Sequence, residues 1–315
     1  MSEKNWLVIL NPNAGGRQAE RDWPNIEKEL IKEGFIFEVV KTEGPSHAIQ
    51  ITDNKINEGY RKIIAIGGDG TLHEVVNGIM KQKHVSAEQI LLALISVGTG
   101  NDWIKTHNIS ADYKTAIQQI KTGNTIQQDV GKIIYRNSSE MTETRYFINS
   151  VGIGFDAKVV EYILPQKSKG KSSKSEYMLG LIKSLFTNKN VSGELKLDTE
   201  TITTKLYNLS VGLCKFKGGG FKMLPNAVPD DGKLDITLAS RISKAKLISA
   251  LPKIFGGKVE EIRYFKFFQT QDLTLNISGP MCTEADGEFL GHYPLQVSII
   301  PNKIKLISNF KTSLN

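Results

Sequence analysis

The sequence predicts two domains: an α/β domain built on a parallel sheet with helices on both faces, then a β-rich, antiparallel, sandwich-like domain. Over the first 130 residues, short apolar runs alternate with helical patterns; after about residue 125, strand-like runs follow one another with few helices between them. The chain has 315 residues, which is enough to bury two cores. We expect domain boundaries at 1–130 and 131–302, with 303–315 as a C-terminal strand that could return to the first domain.

The strands of the first domain are near-continuous apolar runs. Such runs are typical of parallel strands that are covered by helices on both faces. The predicted strands are Trp6–Leu10, Phe35–Val40, Lys62–Ile66 and Leu91–Ile95, and the predicted helices are 17–33, 45–58 and the segment that contains Val75, Val76 and Ile79.

The second domain contains shorter segments that are joined mostly by turns, which favours an antiparallel sandwich or barrel. Two helices, near 176–187 and 243–255, are expected to interrupt it. The predicted strands are Thr125–Tyr135, Arg145–Val151, Glu194–Thr199, Lys205–Leu213, Lys233–Leu238, Asp272–Ile277 and Leu295–Pro301.

Composition is that of an ordinary globular protein, with 40% apolar and 23% charged residues. The net charge of +7 suits an anionic partner but is equally compatible with solubility alone. Cys214 and Cys282 form no metal or redox spacing, so we expect two reduced, unpaired thiols. No signal-peptide pattern or bilayer-spanning apolar run is present, so we expect a cytoplasmic protein whose membrane contact would be peripheral.

The most informative segment is the turn Gly67-Gly68-Asp69-Gly70-Thr71, which follows an apolar strand and precedes a helix. Glycines let a backbone approach a phosphate closely, and the helix adds the positive end of its dipole. The carboxylate of Asp69 would repel a bare phosphate, so the turn favours a Mg²⁺ ion between them. The alternative is a tight strand-to-helix connection with Asp69 as a helix cap.

Two further turns follow strands in the first domain, at Asn11–Gly16 and at Gly98–Asp102. In parallel sheets, ligands bind beyond the carboxyl ends of the strands. We therefore expect these turns and the Gly67–Thr71 turn to open on the same edge of the sheet. This convergence is stronger support for a phosphate site than any single turn.

Several apparent motifs do not support a function. Gly170-Lys171-Ser172 resembles the end of a P-loop, but no strand leads into it. Gly152–Ala157 has the G-x-G-x-x-A spacing but lacks the surrounding βαβ unit, although Asp156 beside these glycines could still belong to a site. The five histidines show no metal-ligand spacing.

Carboxylates cluster at Glu284, Asp286 and Glu288. In a single strand they would share one face and could provide a base or bind a metal, whereas Asp286-Gly287 could instead form a hairpin turn. A second acidic turn, Pro229-Asp230-Asp231-Gly232, is either structural or a Mg²⁺ or Ca²⁺ loop that uses Asp231. Phosphate turns together with a distant carboxylate cluster fit phosphoryl transfer.

Taken in order, these segments resemble the bacterial diacylglycerol kinase-like lipid kinases, which are relatives of the sphingosine kinases. The resemblance covers nearly the whole chain. Its motifs are N-P-N-A-G-G, G-G-D-G-T-L-H-E-V-V-N-G, G-T-G-N-D-W, D-V-G, N-S-V-G-I-G-F-D-A, G-G-G-F, P-N-A-V-P-D-D-G-K-L-D and E-A-D-G-E.

The resemblance implies an ATP- and Mg²⁺-dependent lipid kinase with ATP on the first domain and much of the acceptor site on the second. Family nucleotide contacts fall at Asn11, Pro12, Asn13, Ala14, Gly15, Thr42, Gly67, Gly68, Asp69, Gly70, Thr71, Leu72, His73, Thr99 and Asn101. The family's general-base region matches Asp286 and Glu288 and leaves open which is the base. Asp69, Asp102 and Asp129 match an acidic network that supports the catalytic Mg²⁺ through water. A structural Mg²⁺ site matches the carbonyl groups of Val228 and Lys233 and the side chain of Asp231.

The expected acceptor is a lipid, with diacylglycerol ahead of a long-chain base or undecaprenol, and no nucleic acid is expected as a partner. An NAD kinase, which shares the G-G-D-G-T turn, and a non-catalytic nucleotide or lipid sensor are the rival interpretations. The basic segment Lys167–Lys174 precedes an apolar helix and could dock on anionic membranes, or could be a solvated loop. The oligomeric state is open and includes a homodimer.

Overall fold

The computed structural model describes residues 5–98, 100–137, 139–167 and 174–310. The chain forms two compact units. The first comprises Met1–Val130 and Pro301–Asn315, and the second comprises Gly131–Ile300.

The first unit alternates strands and helices. Its elements are β1 (Trp6–Leu10), α1 (Ala14–Lys32), β2 (Phe37–Lys41), α2 (His47–Asn57), β3 (Lys62–Gly67), α3 (Asp69–Lys81), a short 3-10 helix (Ala87–Gln89), β4 (Leu91–Ser96), α4 (Asp102–His107), α5 (Tyr113–Thr122) and the start of β5 (Thr125–Arg136). Strands β2, β1, β3 and β4 lie side by side in that order, and all of these pairs are parallel. Lys305 and Leu306, near the C-terminal end of β15 (Tyr293–Ile307), pair in parallel with β4.

Both faces of this sheet are buried. On one face, side chains such as Val8, Ile64 and Ile95 pack with the apolar residues of α1 and α5. The alternate residues of the same strands, including Ile9 and Ile63, are also fully buried, on the face where α2 and α3 contact β1 and β3. The predicted parallel α/β sheet is therefore confirmed, and its apolar strands follow from burial on both faces.

The second unit is built on antiparallel strands. It contains the end of β5, then β6 (Thr142–Phe147), β7 (Ser150–Gly154), α6 (Phe155–Lys167), α7 (Lys174–Thr187), β8 (Val191–Leu197), β9 (Thr201–Gly212), β10 (Leu234–Ser240), α8 (Lys244–Phe255), a short 3-10 helix (Val259–Glu261), β11 (Phe265–Thr270), β12 (Asp272–Ile277), β13 (Thr283–Ala285), β14 (Glu288–Gly291) and most of β15. The strand order β14-β13-β7-β9-β8-β12-β15 runs through its sheet, and β10 pairs with both β9 and β11. The predicted antiparallel fold is confirmed.

Two local predictions in this unit are wrong. Arg145–Val151 is not one strand, because β6 ends at Phe147 and β7 begins at Ser150. The backbone N–H groups of Ile148, Asn149 and Ser150 all donate to the carboxylate of Asp286 at this break. Helix α6 was not predicted, because its glycine-rich start resembles a turn.

Among the helices in the described part of the chain, none has the length and apolar character required to cross a membrane.

Candidate active site

The three glycine turns of the first unit lie together at the carboxyl ends of its strands. The side-chain amide of Asn11 donates to the hydroxyl of Thr71 at 2.9 Å, which joins the first turn to the second. A methyl group on Gly15 would contact Val97 Cγ1 at 3.5 Å, and one on Gly68 would contact the Val97 carbonyl oxygen at 3.8 Å. The loop that follows β4 is therefore adjacent to both other turns.

Gly67 and Gly70 differ in what surrounds them. A Cβ atom on Gly67 would lie 2.3 Å from Thr71 Oγ1, so the close approach of β3 to helix α3 requires glycine there. Among the residues that the structure describes, a Cβ atom on Gly70 would have no neighbour within 4 Å. None of the described neighbours requires a glycine at position 70, and the space beside it lies in the first turn of α3, where a helix favours an anion.

Asp69 joins two of the turns. Its carboxylate accepts the backbone N–H of Asp102 at 3.1 Å and that of Trp103 at 3.4 Å, at the start of α4. A Cβ atom on Gly100 would lie 3.4 Å from Asp69 Oδ2 and 3.8 Å from Asp102 Oδ2, so both carboxylates lie beside Gly100. Asp69 thus caps α4 and not its own helix α3, whose N-cap residue is Gly68. Two acidic groups, Asp69 and Asp102, meet at the place where Mg²⁺ is expected.

The carboxylates of Asp102 and Asp129 both interact with other groups of the protein. The carboxylate of Asp102 is nearly buried and forms an ion pair with Lys105 Nζ at 3.0 Å. The carboxylate of Asp129 is fully buried and accepts the backbone N–H of Asn302 at 2.7 Å. Asp129 therefore stabilises the local backbone in addition to any role near a metal.

Asn101 provides a buried polar atom that fits a bound group. No hydrogen-bond donor among the described residues reaches its Oδ1 atom, which is buried. Its backbone has a φ of 49°, a left-handed conformation that costs energy for a residue other than glycine. A metal-bound water or a nucleotide donor would satisfy this oxygen.

The remaining predicted nucleotide contacts are spread over the same unit. Pro12 and Asn13 lie in the first turn, Ala14 begins α1, and Thr42 is buried directly after β2. Leu72 and His73 are buried within α3, and His73 Nε2 lies 3.3 Å from the side-chain amide of Asn77. Burial indicates a packing role for these two side chains. Thr99 lies outside the described residues.

In the second unit, Asp286 lies in the turn of a hairpin formed by β13 and β14. Its carboxylate accepts three backbone N–H groups, from Ile148 at 3.0 Å, Asn149 at 3.1 Å and Ser150 at 2.9 Å. The φ of Asp286 is 48°, and its own N–H donates to the Ser150 carbonyl. These three bonds hold the carboxylate in one orientation.

The hairpin interpretation of Glu284–Glu288 is correct, and the single-strand alternative is wrong. Glu284 pairs with Phe289, and Ala285 pairs with Glu288, so the three carboxylates do not share one strand face. Glu284 is buried, whereas Glu288 is partly exposed and lies 3.3 Å from Arg145.

A buried charged cluster that the sequence did not reveal supports this hairpin. Lys217 Nζ lies 3.0 Å from Glu284 Oε1 and 3.0 Å from Asp156 Oδ2. Glu284 Oε2 also accepts the backbone N–H of Gly287 at 2.8 Å, and Asp156 accepts the hydroxyl of Ser210 at 2.7 Å. In the sequence, the only indication of this cluster is the position of Asp156 beside the glycines of the G-x-G segment.

The charged cluster explains why the G-x-G segment has a glycine at position 152. A Cβ atom there would lie 2.4 Å from Glu284 Oε1 and 2.8 Å from Lys217 Nζ, so glycine is required for the cluster to assemble. Burial alone would lower the pKa of Lys217, but the two carboxylates raise it above its ordinary value. Burial would raise the pKa of Asp156, but Lys217 and Ser210 hold it below its ordinary value. Burial raises the pKa of Glu284, and Lys217 offsets this only in part.

The acidic turn before β10 fits a cation. Asp231 Oδ1 accepts the backbone N–H of Lys233 at 3.0 Å, which fixes this carboxylate beside the Lys233 backbone. Burial raises the pKa of Asp231, and burial together with Asp231 raises the pKa of Asp235 to about 6. The carboxylate of Asp231 and the neighbouring backbone carbonyl groups are oxygen ligands of the kind that Mg²⁺ prefers. Val228 is partly buried in the same turn.

The basic segment Lys167–Lys174 lies mostly outside the described residues: the structure describes the backbone of Lys167 and Lys174 but not their side chains, and nothing of Lys169 or Lys171.

Comparison with known proteins agrees with this architecture. Residues 5–133 match the family model described as the diacylglycerol kinase catalytic domain, and residues 149–308, just over half of the chain, match the YegS C-terminal NAD kinase beta sandwich-like domain. A protein of Staphylococcus saprophyticus named diacylglycerol kinase is 28% identical over 309 residues, covering 95% of this chain and 96% of its own.

Solved structures share the fold. A crystal structure of a diacylglycerol kinase from Bacillus anthracis superposes with a TM-score of 0.76 at 22% identity and covers 98% of both chains. Yeast NADH kinase in complex with NADH superposes with a TM-score of 0.53 at 10% identity, over 97% of this chain and 83% of its own.

An α/β unit with converging glycine turns, joined to an antiparallel unit with a fixed carboxylate, defines a kinase of this two-domain class. The chain belongs to the diacylglycerol kinase-like lipid kinase family, and the protein is a lipid kinase.

Proposed function

We propose that the protein transfers the γ-phosphoryl group of ATP to the hydroxyl group of diacylglycerol, in a Mg²⁺-dependent reaction that yields phosphatidic acid. The observation that carries this proposal is the open space around Gly70, in a glycine turn within the segment that matches the diacylglycerol kinase catalytic domain. The names of the related staphylococcal proteins support the choice of diacylglycerol as the acceptor.

ATP is proposed to bind to the three turns of the first unit. The N-terminal end of α3 would face the phosphates, and the Asn11–Thr71 hydrogen bond would hold two of the turns at a fixed separation. Asp69, Asp102 and the orphaned Asn101 oxygen are the groups that would hold the waters of a catalytic Mg²⁺. Such an ion would neutralise charge on the phosphates.

Asp286 is the proposed general base. It would accept the proton of the lipid hydroxyl as that oxygen attacks phosphorus, and its three N–H donors keep the carboxylate oriented for this transfer. Glu288 is the weaker candidate because it already lies beside Arg145. Asp231 and the carbonyl groups of Val228 and Lys233 are proposed to hold a structural Mg²⁺.

Peripheral membrane contact is proposed for helices α7 and α8, which contact each other. Leu179, Ile182 and Phe186 are exposed at a spacing that places them on one face of α7, and Ile248 and Phe255 are exposed on α8. Lys244 lies over the Phe186 ring at 5.2 Å, so positive charge borders this apolar surface. Together with the basic segment Lys167–Lys174, this surface would bind a membrane that contains anionic lipid.

The test is transfer of label from γ-labelled ATP to a panel of diacylglycerol, a long-chain base, undecaprenol and NAD. Labelled phosphatidic acid as the main product supports the proposal. Labelled product from another lipid would change the acceptor, labelled NADP would favour the NAD kinase alternative, and bound ATP without any product would favour a sensor.

A further inference from the structure

A cluster of three potential metal ligands lies in the second unit, among residues that the proposed reaction does not use. One carboxylate oxygen of Glu161 lies 3.5 Å from the sulfur of Cys282, and the other lies 3.1 Å from Nε2 of His292. One ligand atom from each of the three residues lies within 4.8 Å of the other two.

These distances fit a tetrahedral ion. With Zn–S of about 2.3 Å and Zn–N or Zn–O of about 2.0–2.1 Å, neighbouring ligands of a tetrahedral zinc lie roughly 3.3–3.6 Å apart. The sulfur-to-oxygen and nitrogen-to-oxygen distances are already near that range. The two contacts use different oxygens of Glu161, so the side chains must rearrange to bring one oxygen, the sulfur and the nitrogen around one ion, with a water as the fourth ligand.

The chemistry and charge of the cluster favour one class of ion. Thiolate and imidazole ligands select zinc and similar transition metals over Mg²⁺ or Ca²⁺. A bound ion would displace the proton that the Cys282 thiol donates to Glu161, and a divalent cation would neutralise the two negative charges of the resulting thiolate and the carboxylate. The side chains of Glu161 and His292 are 34% and 41% exposed, so an ion from solvent can reach them.

Lys158 provides positive charge at the same place. Its Nζ lies 3.3 Å from Glu161 Oε2 and 3.9 Å from Cys282 Sγ. The Lys158 side chain is one-third exposed, so it can swing into solvent when an ion binds. The ammonium group is therefore a competitor of the metal rather than a fourth ligand.

The three potential ligands lie where helix α6 packs against the hairpin formed by β13 and β14. Cys282 immediately precedes β13 and His292 immediately follows β14, so both lie at the open end of the hairpin whose turn contains Asp286. The N–H of Met281 donates to the His292 carbonyl at 2.7 Å across this open end. Glu161 lies on helix α6, which packs against both strands.

We propose that Glu161, Cys282 and His292 bind a divalent transition-metal ion of the zinc type, which clamps helix α6 to the base of the hairpin. This site is separate from the Mg²⁺ sites of the proposed kinase reaction, and its test does not depend on activity.

The experiment is a Co²⁺ titration of the full chain after chelator treatment and removal of any purification tag. Wild-type protein is expected to develop a thiolate-to-cobalt charge-transfer band and visible bands of a four-coordinate ion, both abolished by added Zn²⁺. Cys282→Ser should lose the thiolate band, whereas Cys214→Ser, which changes the other buried thiol, should retain it.

His292→Ala provides a variant whose folding is not at risk, because the residue is partly exposed. It should weaken Co²⁺ binding by at least about tenfold and lose the shift to higher melting temperature that Zn²⁺ gives the wild type. Lys158→Gln should bind Co²⁺ at least as tightly as wild type. Absence of the thiolate band in the wild type, its persistence in Cys282→Ser, or its loss in Lys158→Gln would overturn the proposed ligand set.

Discussion

Lys217 and Glu284 form a buried ion pair at 3.0 Å, although 67 residues separate them in the sequence. The second oxygen of Glu284 accepts the N–H of Gly287, next to Asp286. The ion pair therefore connects the strand-poor segment around Lys217 to the hairpin turn that carries the proposed base.

We expect Lys217→Met to destabilise the protein by about 3–5 kcal/mol, because it leaves the buried carboxylate of Glu284 and the largely buried carboxylate of Asp156 without their counter-charge. Urea unfolding followed by circular dichroism measures this change. The matched control is Lys222→Met, which removes a partly exposed pair with Glu260 at 3.5 Å and should change stability by about 1 kcal/mol or less. Equal effects of the two substitutions would contradict a structural role for the buried cluster.

Asp286→Asn should reduce transfer to the lipid by roughly 10²–10⁴-fold, the usual contribution of a general base. An amide has only one acceptor oxygen, so it must also leave at least one of the three N–H donors unsatisfied, at a cost of about 1–3 kcal/mol in stability. Activity, ATP binding and urea unfolding should therefore be measured on the same preparation.

Glu288→Gln is the control for Asp286→Asn, because it neutralises a neighbouring carboxylate that binds none of those three N–H groups. It should retain most of the activity. A folded, ATP-binding Asp286→Asn variant with full activity, or a larger loss in Glu288→Gln, would remove Asp286 as the base.

Gly70→Ala separates ligand binding from folding. No atom of the described residues lies within 4 Å of the added methyl group, and alanine is a better helix former by up to about 1 kcal/mol, so stability should be unchanged or higher. If the phosphates of ATP lie against this turn, the KM for ATP should rise by about tenfold or more, the effect of losing roughly 1.4 kcal/mol of binding. Gly44→Ala, at another position with open space, should alter neither quantity. An unchanged KM in Gly70→Ala would place the phosphates elsewhere.

Asp235 should make stability depend on pH. Burial raises its pKa to about 6 in the folded protein, above the unfolded value of about 3.9, so the folded state holds more protons between these limits. Its contribution to stability is full below about pH 4 and is lost as the pH rises through about 6. The difference in unfolding free energy between wild type and Asp235→Asn should therefore change across this window.

Mg²⁺ offers a second test of the same turn. The ion should stabilise the wild type at pH 7 and stabilise Asp231→Asn much less, since that substitution removes the proposed ligand. If the stability difference between wild type and Asp235→Asn stays flat from pH 4 to 6, the raised pKa is wrong. If Mg²⁺ shifts both proteins equally, the proposed metal site is wrong.

The apolar surface on α7 and α8 predicts membrane binding. Phe186→Ser together with Phe255→Ser should reduce co-sedimentation with anionic liposomes, because both rings are more than half exposed. Ile36→Ser, which changes a still more exposed apolar residue in the first unit, serves as the control. Neutralising Lys167, Lys169, Lys171 and Lys174 should also weaken sedimentation. Unchanged sedimentation in both sets of variants would exclude this docking surface.

The sequence predicted features whose cause is local. Composition is enough to distinguish strands that are buried on both faces, which are continuous apolar runs, from half-buried strands. The parallel sheet could therefore be predicted from Leu7–Leu10 and Ile63–Ile66. The turn at Gly67 could also be predicted, because its cause is local: Thr71, only four positions away, leaves no room for a side chain at position 67.

Features that depend on distant partners could not be predicted. The break between β6 and β7 is caused by Asp286, which lies 136 to 138 residues away. Lys217, Asp156 and Glu284 come from three separate parts of the chain, and no spacing rule connects them. The burial of His73 within α3 likewise depends on packing against other elements.

A diacylglycerol kinase reaction is tested most sharply by label transfer from γ-labelled ATP to diacylglycerol in mixed micelles, with wild type and Asp286→Asn side by side. We predict that the wild type produces labelled phosphatidic acid, that the variant produces at least about 10²-fold less of it, and that both proteins bind ATP. Wild-type protein that binds ATP but labels no lipid would contradict the assignment of a diacylglycerol kinase reaction.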